Sequence, residues 1–225
     1  MSEGPEIRIE ENGPYHVSGA VPIARTRTVK TEYGEPIDYA PYEYLEADGE
    51  TYRLCRCGKS ANKPFCDDSH LEDPRVDVKE RADKGPRSER ADVFENTQDG
   101  AVITDDLSLC SKAGYCKDRF TGVWQMLGSS DPAVRERMQR MVELCPSGRL
   151  AWGESEDAPE HEPDYEPEIA AFRNGPLFVR GGVRVVGADG ESYELRNRQT
   201  LCRCGYSQNK PFCDGSHKIV GFRDA

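Results

Sequence analysis

Nine cysteines and two of the four histidines carry the chemistry legible in this chain. The cysteines fall into three groups of three: Cys55, Cys57 and Cys66; Cys110, Cys116 and Cys145; Cys202, Cys204 and Cys213. The first and last groups share the spacing C-x-C-x8-C-x3-H, which ends on His70 in one copy and His217 in the other. Two cysteines separated by one residue point to the same side of an extended backbone and can share a metal. Pro64 and Pro211 turn the chain back so that the third cysteine arrives beside them. Asp67 and Asp214 stand where they can N-cap the short turn that carries each histidine. A Cys₃His donor set accepts zinc as well as iron. A secreted disulfide framework is the poorer fit, since the cysteine count is odd and the N-terminal MSEGPEIRIEENG has no apolar stretch.

The middle group reads differently. Cys110 and Cys116 keep the outer spacing of a C-x2-C-x2-C loop, with Ala113 in the middle ligand position, and Cys145-Pro146 is the matching distal element. Gly114 and Gly148 let backbone N–H groups approach cluster sulfurs. Three thiolates suit a [3Fe–4S] cluster. They equally suit a [4Fe–4S] cluster whose fourth iron takes water, a small ligand or a carboxylate such as Asp105 or Asp106. Three structural cysteines are the bland alternative. His16 and His161 lack partners at ligand spacing, and Trp124 and Trp152 read as core.

The terminal loops resemble the CDGSH (NEET) family, whose pattern is C-x-C-x2-[ST]-x3-P-x-C-D-G-[STA]-H. The second copy meets it throughout, including Ser207, Pro211, Asp214, Gly215 and Ser216. The first meets it through Ser60, Pro64, Asp67 and Ser69 but has Asp68 in place of glycine, and Asp tolerates the left-handed backbone better than most residues. The resemblance implies a [2Fe–2S] cluster on Cys55, Cys57, Cys66 and His70, and another on Cys202, Cys204, Cys213 and His217. The central segment resembles the divergent mono-cluster ferredoxin domains through C-x-x-A-G-x-C and C-P-S-G, which implies Cys110, Cys116 and Cys145 as ligands of the third cluster.

The elements that must position these residues are short. Asn12-Gly-Pro-Tyr-His-Val-Ser-Gly answers to Asn174-Gly-Pro-Leu-Phe-Val-Arg-Gly, so each terminal half reads as a small β-unit leading into a metal loop. Ile7–Ile9, Tyr15–Val17 and Val21–Val29 are strand candidates in the first half, and the stretch from Thr31 to Glu46 reads as an extra loop. In the second half Leu177–Val179 and Val183–Val186 read as a hairpin across Gly181-Gly182, with a further strand at Ser192–Leu195. A helix starts at Asp131 as N-cap with Pro132 next, and Val134, Met138, Met141, Val142 and Cys145 line one face. The expected organisation is a CDGSH-type domain at 1–71, a linker at 72–92, a ferredoxin-like domain at 93–152, an acidic linker at 153–168 and a second CDGSH-type domain at 169–225. The fold class is α+β: small β-rich CDGSH modules forming an internal pseudo-dimer, with a central α/β ferredoxin-like module. A tandem copy within one chain suggests a monomer.

Charged residues make up 32% of the chain, against roughly 25% in an ordinary globular protein, so modest cores stabilised by bound metal are expected. A net charge of −11 argues against nucleic-acid binding and is compatible with a partner presenting a basic surface. With no long apolar run, no membrane span is expected, and a cytoplasmic protein is the default. No nucleotide-binding glycine loop or nucleophile–base constellation suggests an enzyme. The expected role is electron transfer between redox partners, with cluster storage, transfer to an acceptor protein, or redox sensing as the alternative. Histidine ligation should set the terminal clusters at higher potential than an all-thiolate four-iron centre.

Overall fold

The computed structural model describes residues 4–47 and 49–224. In chain order the strands are β1 (Glu6–Ile9), β2 (Tyr15–Ser18), β3 (Ile23–Lys30), β4 (Pro36–Leu45), β5 (Tyr52–Leu54), β6 (Asp92–Glu95) and β7 (Val102–Asp105). Two helices follow, α1 (Val123–Leu127) and α2 (Pro132–Glu143), then β8 (Leu150–Gly153). The second half adds β9 (Glu168–Phe172), β10 (Leu177–Arg180), β11 (Arg184–Val186), β12 (Arg198–Leu201) and the one-turn α3 (Ser216–Ile219).

The two halves of the repeat exchange strands. One sheet runs β11-β1-β2-β5 and the other β12-β10-β9-β3-β4. By the repeat, β1, β2, β3 and β5 answer to β9, β10, β11 and β12. Of these eight strands each sheet takes three from one half and one from the other, and β4 adds an outer strand to the second sheet beside β3. The exchanged pairings match: β1 lies parallel to β11 with Ile7 opposite Val185, and β9 lies parallel to β3 with Ile169 opposite Ile23. Ile7, Val17, Leu54 and Val185 of one sheet share a single buried core with Ile23, Ile169, Leu177 and Leu201 of the other. Neither half can bury that face alone, which is the physical content of an internal pseudo-dimer.

This exchange corrects the hairpin expected across Gly181-Gly182. β10 pairs with β9 and β12, whereas β11 crosses to the other sheet to pair with β1. The residues 192–195 form no strand, only a bridge from Ser192 to Val186; the last strand is β12 instead. The extra loop expected between Thr31 and Glu46 is also corrected, because it contains the ten-residue β4, eight residues of which pair with β3 across two register shifts. Its prolines, Pro36 and Pro41, are tolerated because β4 is an edge strand.

The central module is a sheet ordered β6-β7-β8 covered by α1 and α2. The Asp131 carboxylate accepts from the Ala133 N–H at 2.9 Å, and Met138 and Val142 are buried against Ile103 and Leu150. Trp152 belongs to the same core. β4 anchors this module: the Tyr115 hydroxyl donates to the Asp38 carbonyl at 3.0 Å, and Arg140 pairs with the Asp38 carboxylate at 3.0 Å. The flanking charged stretches are pinned by arginines. Arg87 pairs with Glu160 at 2.6 Å, and the fully buried Arg198 pairs with Glu162 at 2.7 Å. Among the described residues, no helix is long and apolar enough to cross a membrane.

Candidate metal centres

The two terminal loops have the same local architecture. Cys55 and Cys202 leave the ends of β5 and β12, and each loop returns through a cis proline, Pro64 or Pro211, to bridge Leu54 to Phe65 and Leu201 to Phe212. Ser60 and Ser207 close the loops by donating to the carbonyls of Phe65 and Phe212 at 2.7 and 2.6 Å. Asp67 and Asp214 accept from the N–H groups of Ser69 and Ser216 at 3.1 and 2.9 Å, tying down the turns that carry His70 and His217. The residue after each aspartate is left-handed, Asp68 at φ 66° and Gly215 at φ 88°, as the family glycine implies.

Within each loop the donors pair off. The sulfurs of Cys55 and Cys57 lie 3.8 Å apart and those of Cys202 and Cys204 3.6 Å apart. Two thiolates on one tetrahedral metal, with bonds of about 2.3 Å, stand about 3.8 Å apart. The third cysteine pairs with the histidine: Cys66 Sγ is 3.7 Å from His70 Nδ1, and Cys213 Sγ is 3.4 Å from His217 Nδ1. All nine cysteines are free thiols. Such a donor set, two sulfurs and then a sulfur with an imidazole, fits a binuclear cluster. Hydrogen bonding from Cys57, reinforced by the N–H groups of Ser60 and Gly58, lowers the Cys55 thiol to about 6, and Cys204 with Ser207 and Gly205 does the same for Cys202. Burial, followed by the charges of Lys218 and Arg203, lowers His217 to about 4 and keeps it a neutral donor.

The two sites meet at the pseudo-symmetry axis, where Cys57 bridges Cys204. A Cβ on Gly58 would stand 2.6 Å from the Cys204 carbonyl oxygen, and one on Gly205 would stand 2.6 Å from that of Cys57. Only glycine after each C-x-C lets the loops approach this closely. The environments then diverge. Cys66 and His70 are half-exposed, while Cys213 and His217 are buried. The first site also carries Asp68, within 4.8 Å of Cys66 and His70 and paired with Arg53 at 2.6 Å.

The second site is covered by the central cysteine loop. A Cβ on Gly215 would stand 2.9 Å from Lys112 Cβ and closer still to its Cγ. The Lys218 ammonium donates to the Lys112 carbonyl, and the Asn209 amide donates to the Ser108 carbonyl at 2.9 Å. Glycine is therefore required in the second copy by its neighbour as well as by its backbone. In the first copy the half-exposed Asp68 stands at this position and turns to Arg53.

In the central module Cys110 follows a single 3₁₀ turn, Cys116 precedes α1, and Cys145 follows α2. Burial raises the Cys116 thiol, and its neighbours Cys145 and Cys110 push it the same way while Arg149 opposes them. The three cysteines thus lie within electrostatic reach of one another, a donor set whose chemistry fits a cuboidal cluster with one corner not served by the protein. Neither carboxylate considered for that corner is free. Asp105 is held by Arg149 at 2.6 and 2.7 Å, and Asp106 by Arg90 at 2.9 Å and the Ser108 N–H at 3.1 Å. The remaining arm of Arg149 donates to Cys110 Sγ at 3.2 Å. His16 bonds Glu10 at 2.6 Å, and His161 stacks on Trp152 at 3.8 Å, both apart from the cysteines.

Several positioning residues have no motif signal of their own. Buried Arg198 donates to the carbonyls of Val142, Glu143 and Cys145, so β12, which leads into Cys202, is tied to the end of α2 and the Cys145 turn. Arg196 donates to the carbonyls of Ser147 and Gly148 at 2.9 and 2.7 Å. Arg56 and Arg203, the middle residues of the C-x-C pairs, reach the Glu10 and Gly13 carbonyls and the Phe172 and Gly175 carbonyls respectively. These last two were discoverable, since C-R-C occurs in both copies.

The comparisons agree with this geometry. The family model for the iron-binding zinc finger CDGSH type matches residues 12–71 and 174–218. That for the divergent 4Fe-4S mono-cluster matches residues 97–154 between them. No curated protein matches the sequence. The chain is an iron–sulfur protein. More particularly, it carries two CDGSH-type segments flanking one divergent mono-cluster segment.

Proposed function

We propose that the chain is a non-enzymatic electron carrier that binds two [2Fe–2S] clusters and one [3Fe–4S] or [4Fe–4S] cluster. Cys55, Cys57, Cys66 and His70 hold the first, Cys202, Cys204, Cys213 and His217 the second, and Cys110, Cys116 and Cys145 the third. Iron–sulfur clusters supply one-electron chemistry when bound. The observation that carries the reading is the contiguity of the three loops: Cys57 bridges Cys204, and Lys112 of the central loop packs on Gly215 of the second. The chain's own residues keep the second site dry and rigid through buried Cys213 and His217 and through Arg198, which ties β12 to the Cys145 turn after α2. Since the repeat completes its own core, the protein works as a monomer between cytoplasmic redox partners.

The test is anaerobic stopped-flow reduction and reoxidation. Repeated one-electron cycling with unchanged iron content supports the carrier. Loss of iron in each cycle refutes it. A second reading, cluster delivery, is favoured by one feature, the half-exposed Cys66 and His70 of the first site. Transfer to an apo-ferredoxin that empties the first site alone would establish it.

A further inference from the structure

A cleft of ≈520 Å³ opens between the central cysteine loop, the end of β3 and the turn after β9. Ala113, in the position where a ferredoxin loop has its middle ligand, forms one wall, and His217 forms another. Around it stand Lys30, Lys112, Arg173, Lys218 and Arg223, and no acidic residue lines it. This is anomalous in a chain of net charge −11. All five cations are exposed, and none forms an ion pair among the described residues. Elsewhere arginines are largely consumed by carboxylates. Acids in the neighbouring segments are matched, Glu35 with Arg119 at 3.4 Å, Asp38 with Arg140 at 3.0 Å and Asp224 with Arg203, while Asp214, beside His217, accepts from the Gln208 and Ser216 N–H groups at 2.8 and 2.9 Å.

Five unpaired cations converging on one concave face create a local positive potential that the overall charge conceals. Such a patch steers an oppositely charged surface and fixes its orientation more than it adds affinity. The cations ring the cleft on exposed side chains, and Lys218 and Arg223 donate only to backbone carbonyls, instead of converging from buried positions around a small ligand. That arrangement suits the acidic face of a protein better than a buried small anion. We infer that this cleft is the docking site for an acidic one-electron carrier protein, which it seats beside Ala113 and His217. The inference rests on the electron-carrier reading and adds to it the place and charge of the partner. It also reverses, for this face, the basic partner that net charge alone suggests.

The test uses the anaerobically purified holoprotein and, as probes, a plant-type [2Fe–2S] ferredoxin and a flavodoxin, both acidic carriers. Binding is measured by calorimetry at low and at moderate salt, with citrate as a small-anion competitor. At least one carrier should bind at low salt and weaken steeply with added salt. Charge reversal by Lys30→Glu, Arg173→Glu and Arg223→Glu together should weaken it at least tenfold, with iron content and visible spectrum unchanged. These residues are not among the proposed ligands, so the clusters remain as a control. The single variant Arg173→Gln should give an intermediate loss if the triple variant misfolds. Binding of neither carrier, or binding the variants leave unaltered, would overturn the inference. Tight citrate binding with no carrier bound would do so in favour of a small-anion site. Carrier binding without electron transfer would instead sink the functional reading and leave the docking site standing.

Discussion

Replacing Gly215 by aspartate would give the second CDGSH loop the residue that the first loop carries at Asp68. The consequences should differ sharply. At φ 88° a side chain meets the left-handed penalty, about 1–2 kcal/mol. Its Cβ would also stand 2.9 Å from Lys112 Cβ, so the central loop must move, and overpacking of this kind costs about 1–3 kcal/mol. The expected destabilisation is therefore about 2–5 kcal/mol, accompanied by loosening of the junction with the central loop. The reciprocal change, Asp68→Gly, releases a strained backbone and gives up a solvent-screened pair with Arg53, so the two effects oppose and nearly cancel. Thermal unfolding of the four proteins of a cycle with Lys112→Gly isolates the contact, since Lys112 is itself left-handed at φ 59° and tolerates glycine. Lys112→Gly should restore a large part of what Gly215→Asp loses. If Gly215→Asp stays within about 0.5 kcal/mol of wild type, or Lys112→Gly gives no rescue, the packing of the central loop on the second site is wrong.

Three further outcomes follow from the sites. Buried His217 titrates near 4 when folded against about 6.5 when unfolded, so its contribution is complete above pH 6.5 and is lost as pH falls toward 4, roughly 3 kcal/mol in all. Visible absorbance should bleach as pH falls, because a proton captures the imidazole once its iron bond opens, and His70→Cys with His217→Cys should slow the bleaching; equal rates in a folded variant would remove the histidines from the ligand set. The half-exposed first site should bleach before the buried second, as single His→Cys variants followed in parallel would reveal. Arg149→Met removes the donor to Cys110, which should lower the central reduction potential on the order of 60 mV, and it strands buried Asp105 at a cost of about 3 kcal/mol. Adding Asp105→Asn should recover the stability without recovering the potential, as potentiometry and thermal unfolding together would register.

The metal loops were legible because their chemistry depends on residue types at short spacing, and the repeated C-R-C…P-F-C-D motif marks them twice. The α2 helix was legible for a similar reason: the Asp131-Pro132 start and the apolar face from Val134 to Cys145 are local signals. The strand exchange was not. Val183–Val186 has the same composition whether it folds back on β10 or crosses to β1, and only the shared core of both sheets decides it. β4 was hidden because an edge strand with one weakly buried face lacks alternation, and its prolines read as loop. Asp105 looked like a spare ligand until Arg149 was placed against it, a long-range pairing that no sequence spacing announces. Arg198 was invisible for the same reason, being a lone charged residue until the helix end supplied its carbonyl partners.

The central claim is that three iron–sulfur centres, not zinc, occupy these loops. Iron, acid-labile sulfide and zinc measured on anaerobically purified protein, with Mössbauer spectra of the same sample, test it most directly. The account predicts two binuclear centres with asymmetric Cys₃His ligation and one three- or four-iron centre, with sulfide to match and negligible zinc. A colourless protein holding stoichiometric zinc after anaerobic reconstitution would contradict it.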